Sequence, residues 1–129
     1  MVIDTSALLA VLFDEPDAAW VARKLNEEAG ELKMSTVNLA EALILLRDRQ
    51  PGKADALEAQ LLASGIEFVP PDVEQARLAA AARLAYPLNL GDCFAYALAA
   101  TGHCAILTLD RDFAKTDARC VMPRARSRS

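Results

Sequence analysis

The chain has 129 residues, 53% of them hydrophobic and 25% charged, with 5 Gly, 6 Pro and a net charge of −4. That length fits one domain, and that composition fits a packed, soluble globular core and excludes a disordered or fibrous chain. No stretch reaches the ~18 uninterrupted apolar residues of a membrane span, and the apolar start lacks the basic flank of a signal peptide, so a cytoplasmic protein is expected.

In chain order the pattern alternates strand and helix. MVI is long enough only for a strand; Thr5 onward through LLAVLF reads as a first helix, broken by Asp14, Glu15 and Pro16, and Asp17 to Glu28 as a second, amphipathic one. Glu31 to Ser35 predicts strand two. Ser35 or Thr36 caps a helix to about Arg49, closed by Gln50, Pro51 and Gly52, and Ala54 to Ala63 forms another. GIEFVPP is a strand ended by prolines. Asp72 to Ala85 is an alanine-rich helix, Tyr86 to Gly91 a loop, Asp92 to Thr101 a helix, AILTL a buried strand, and the segment around Cys120 a short last strand. Strands separated by helices imply parallel pairing, hence a three-layer α/β/α sandwich on a mostly parallel sheet.

Residues 1–117 hold ten Lys/Arg against 18 Asp/Glu, a balance of −8, whereas Arg119, Arg124, Arg126 and Arg128 follow without an acid. A domain over 1–117 is therefore expected, followed over 118–129 by a short strand and a basic, flexible tail. Cys93, Cys104 and Cys120 are odd in number and lack CxxC spacing, which points to reduced core thiols and not to disulfides or zinc.

Four acids stand out as lone charges in or beside apolar stretches: Asp4 after the first strand, Glu41 in LAEALILL, Asp92 between Leu88 and Gly102, and Asp110 after AILTL. Ligands of open parallel sheets gather beyond the carboxyl ends of the strands, where Asp4 and Asp110 stand. A buried carboxylate without a partner costs several kcal/mol, and Lys and Arg lie almost entirely in polar stretches, so a bound cation is the simplest partner. Carboxylates without His or Cys favour a hard ion, Mg²⁺ or Mn²⁺. Each acid also has a plain structural reading: Asp4 and Asp92 as helix caps, Asp110 as the start of a turn, Glu41 on a solvent-facing stripe. His103, the only histidine, reads as a turn residue, and no GxGxxG or GxxxxGK[ST] is present.

In order and spacing, VIDTSALLAVLFDEP, TVNLAEAL, LNLGDCFAYALA and LTLDRDFAKTD resemble the four acidic motifs of PIN-domain ribonucleases, and more narrowly the VapC-type toxins of VapBC toxin–antitoxin modules. The resemblance covers residues 1–117. It implies a Mg²⁺- or Mn²⁺-dependent endoribonuclease whose pocket is formed by Asp4, Glu41, Asp92 and Asp110. Asp4 and Asp92 would be the direct metal ligands, Glu41 and Asp110 would hold a second metal or metal-bound water, and Ser6, Thr108 and Asp112 would support them. Asp112 and Asp117 compete with Asp110 as fourth acid. The resemblance further implies a homodimer, a VapB-type antitoxin partner and no membrane. Lys115, Arg111 and the tail arginines are candidates for contacts to the RNA backbone, the tail reading otherwise as a solubilising end. A noncatalytic RNA- or protein-binding module and a metal-dependent phosphatase are the alternatives.

Overall fold

The computed structural model describes residues 1–124; of the basic tail, Arg126 and Arg128 lie outside the described residues. Five strands, β1 (Val2–Ile3), β2 (Lys33–Ser35), β3 (Glu67–Val69), β4 (Ile106–Leu107) and β5 (Cys120–Val121), form one sheet in the order β3-β2-β1-β4-β5. Every pairing is parallel. Six helices connect them: α1 (Thr5–Leu12), α2 (Ala18–Glu27), α3 (Thr36–Arg49), α4 (Ala54–Leu62), α5 (Val73–Ala85) and α6 (Leu90–Gly102).

The central strands are short and apolar because both of their faces are covered. Val2 pairs with Ile106 and Ile3 with Leu107, and all four are fully buried. Alternation along each strand sends Val2 and Ile106 into one core with Leu98 and Phe113, and Ile3 and Leu107 into the other with Met34 and Leu8. Two cores on one sheet make the expected α/β/α sandwich. The same register carries Asp4 alongside Thr108, one step past Ile3 and Leu107.

Polar residues start the helices at the sheet's carboxyl edge. Asp4 accepts from the Thr5 amide at 2.8 Å to cap α1, and Ser35 accepts from Val37 at 3.2 Å to cap α3. The sequence reading placed the start of α6 at Asp92, which the structure corrects. Asn89 is the cap and Asp92 the third residue of the first turn, since their side chains and amides form a reciprocal capping box. The helix ends where Gly102 precedes His103, whose φ of 53° is left-handed. The AspArgAsp turn proves to be a 3-10 turn, Arg111–Lys115, and the three thiols are not uniformly core residues: Cys93 is buried, Cys104 and Cys120 half-buried. Among the described residues no helix is long and apolar enough to cross a membrane.

Candidate active site

Asp4 is 1% exposed, yet each of its oxygens has donors. Its Oδ1 takes the Thr5 amide, while Oδ2 accepts from the hydroxyls of Ser6 and Thr108, both at 2.7 Å. Those hydroxyls lie 3.2 Å apart and accept in turn, Ser6 from the Leu109 amide and Thr108 from the Asp110 amide, each at 3.0 Å. Parallel register thus ties the end of β1 to the end of β4 and fixes the backbone of Asp110.

Asp110 caps the 3-10 turn, its Oδ1 accepting from the Asp112 amide at 2.9 Å. Asp92 is 8% exposed on the first turn of α6 and faces both other aspartates. Burial pushes its pKa up to about 7, the nearby charges of Asp4 and then Asp110 adding to the shift. Burial raises that of Asp4 as well, against the opposing hydrogen bonds of Thr108, Ser6 and Thr5.

Glu41 joins through side chains on other helices. Its Oε1 accepts from the Thr5 hydroxyl at 2.8 Å and from Asn38 Nδ2 at 3.1 Å. Its carboxylate also lies against Gly91, where a Cβ would overlap it. The fold therefore brings Asp4, Asp92 and Asp110 close enough for their charges to repel one another, and brings Glu41 to Asp92's neighbour on α6.

Asp112 and Asp117 turn elsewhere. The Asp112 carboxylate pairs with Lys115 at 3.1 Å, so its link to the pocket is its amide, and Asp117 accepts from the Tyr96 hydroxyl at 2.6 Å. Arg111 is likewise engaged, donating to the Pro123 carbonyl at 2.6 Å. A cleft of about 410 Å³ runs along α6 between Tyr96, His103, Cys104 and Arg119, and none of the four acids lines it.

Sequence reasoning missed Asn38, Asn89 and Gly91, and gave Thr5 only a capping role. The signals were present: Asn38 is one helical turn before Glu41 on an otherwise apolar face, and Asn89 is three residues before Asp92.

The ion pairs Lys24–Glu27, Arg47–Asp55, Arg47–Glu58 and Lys115–Asp112 leave Asp4, Glu41, Asp92 and Asp110 aside. An all-oxygen set in which burial raises the pKa of Asp4 and Asp92, with no cation paired to it among the described residues, suits a hard divalent ion. Among the described residues no three Asp, Glu, His or Cys side chains close into a ready-made cage.

Residues 1–119 match the family model described as PIN domain. The chain is 38% identical to the ribonuclease VapC of Mycolicibacterium smegmatis, an alignment spanning 94% of this chain and 99% of that one. In structure it is similar to VapC20 of Mycobacterium tuberculosis, described as a sarcin-ricin loop cleaving toxin, with a TM-score of 0.81 at 17% identity, covering 95% of this chain and 98% of that one. It also matches the DNA-bound VapBC of Salmonella typhimurium with a TM-score of 0.78 at 16% identity, over 94% and 96% of the two chains. With a PIN-domain match over residues 1–119 and a 38% identical VapC ribonuclease aligned over 94% of this chain and 99% of its own length, this chain belongs to the PIN-domain family, among the VapC ribonucleases.

Proposed function

We propose that the chain is a divalent-metal-dependent endoribonuclease, the toxin of a VapBC-type pair, and that Asp4, Glu41, Asp92 and Asp110 carry its chemistry. The observation that supports this most is the meeting of Asp4, Asp92 and Asp110 with no Lys, Arg or His among them. Mg²⁺ or Mn²⁺ is the ion of choice, and bound there it supplies Lewis acidity toward water and the phosphoryl oxygens. Asp4 and Asp92 would hold it directly, with Glu41 and Asp110 on either side.

The remaining steps belong to the protein. Ser6 and Thr108 direct one Asp4 oxygen and leave no rotational freedom in that carboxylate. The capping box fixes Asp92 on α6, and the Asp112 amide turns Asp110. The Ser6 hydroxyl at the site is held by Asp4 and the Leu109 amide, which favours attack of water on phosphorus over a side-chain nucleophile. A pocket this acidic repels the RNA backbone, and basic groups must offset that repulsion, Lys115, which pairs with Asp112 beside Asp110, being one candidate.

The catalytic unit is assigned to residues 1–117, with β5 and the basic tail after it, acting in the cytoplasm beside a VapB-type antitoxin. A homodimer is consistent with large apolar side chains left exposed on helices, Ile44 at 67% and Leu84 at 91%. Cleavage of structured RNA in Mg²⁺, lost in EDTA, together with inertness toward a small aryl phosphate, tests the reading. Activity on the aryl phosphate alone favours a phosphatase, and activity on neither favours a binding module.

A further inference from the structure

Asn38 takes part in none of the acid motifs, yet it is fully buried and touches three helices at the pocket. Its Nδ2 donates to Thr5 Oγ1 at 3.1 Å on α1, to Glu41 Oε1 at 3.1 Å on its own helix, and to the Gly91 carbonyl at 3.0 Å on α6. The amide is held this way round by chemistry, because the reverse would set its oxygen against two acceptors. Its Oδ1 has no hydrogen-bond partner and is buried. A side chain selected only for packing would not keep an unpaired buried oxygen, since an apolar group of the same shape avoids that penalty.

What the arrangement achieves is one-sided. Both donors to Glu41, Asn38 and the Thr5 hydroxyl, are on Oε1. Oε2 receives neither, and the carboxylate as a whole lies against Gly91, the neighbour of Asp92. We infer that Asn38 is a positioning residue: by holding Glu41 Oε1 and the Gly91 carbonyl together, it directs Glu41 Oε2 into the acidic pocket and sets its spacing from Asp92. This rests on the active-site reading above, and it assigns to Asn38 a role through Glu41 and no contact with substrate.

The test is Mn²⁺ binding by isothermal titration calorimetry on the antitoxin-free protein, for wild type, Asn38→Leu, Glu41→Gln and the double variant. Leucine keeps the shape of asparagine and removes the unpaired oxygen, so Asn38→Leu should melt within a few degrees of wild type or above it. Its Mn²⁺ affinity should fall about tenfold, and adding it to Glu41→Gln should weaken binding no further. The same tenfold loss in both backgrounds, or wild-type affinity in Asn38→Leu, overturns the assignment. Loss of the folded circular dichroism spectrum in both Asn38→Leu and Asn38→Ala makes the residue purely structural and overturns it too. Unchanged Mn²⁺ affinity in Asp4→Asn as well as in Glu41→Gln removes the active-site reading itself, which distinguishes that failure from this one.

Discussion

The carboxylate of Glu41 rests against Gly91, the residue before Asp92, so closely that a methyl group there would overlap it. Two acids on different helices are thus brought to one place by a missing side chain. Gly91→Ala should be tolerated by the fold, because the overlapping atoms are the end of a flexible side chain and alanine favours the helix by about 1 kcal/mol. Cleavage of RNA in Mg²⁺ should nevertheless fall tenfold or more, since Glu41 must leave its hydrogen bonds to make room. Wild-type rates from a protein with an unchanged melting temperature would count against any role for Glu41 at the pocket.

Asp4→Asn and Asp92→Asn should each abolish RNA cleavage while leaving the circular dichroism spectrum intact, because both keep the shape and the hydrogen-bond acceptor of the parent side chain. Measured cleavage in excess EDTA by the wild type would contradict a metal-dependent site.

Asp92 is at once the third residue of the capping box and a member of the acidic cluster, so its replacement distinguishes the two effects. Asn can still accept the weak 3.4 Å hydrogen bond from the Asn89 amide, whereas repulsion from Asp4 and Asp110 disappears. Asp92→Asn should therefore melt a few degrees above wild type in EDTA at neutral pH. Added Mg²⁺ should narrow or reverse that gap by stabilising the protein that binds it. A lower metal-free melting temperature would make the cap the dominant role.

The same residue predicts a pH dependence. With a folded pKa of about 7 against an ordinary 3.8, Asp92 keeps a proton in the folded chain that the unfolded chain releases. Its penalty is absent below the ordinary value, grows as the pH rises toward 7, and levels off above. A shift of this size corresponds to at most about 4 kcal/mol. In EDTA, urea denaturation should show wild type losing stability relative to Asp92→Asn between pH 5 and pH 8, and a difference that stays constant across that range would refute the coupling.

Thr108 donates to Asp4 and accepts from the Asp110 amide, so it links two strand ends through one oxygen. Thr108→Val removes that oxygen at nearly constant volume. Losing a buried hydrogen bond to a charged group costs about 1.5–3 kcal/mol, a drop of roughly 5–10 °C in melting temperature. Cleavage should fall with it, and Thr108→Ser should restore most of both. Equal behaviour of the valine and serine variants would show that the hydroxyl is idle.

Much of this was legible in the sequence. Alternating apolar runs and helix periods determined the parallel α/β/α sandwich, because burial of both faces of a short strand leaves a local apolar signature. The four lone acids were visible for the same reason: a charge inside an apolar stretch is expensive, and its presence asks for a partner. Ser6 and Thr108 could be named as well, by resemblance. What only the tertiary structure decided is where separate segments meet. The β1–β4 register sets Asp4 beside Thr108 and so fixes the backbone of Asp110, while Asp112 and Asp117 find Lys115 and Tyr96. The start of α6 two residues before Asp92, the contact of Glu41 with Gly91 and the three-way hydrogen bonding of Asn38 depend on helices distant in the chain. Local propensity carries no information about such contacts, because their geometry is set by strand order and helix packing and not by the residues on either side.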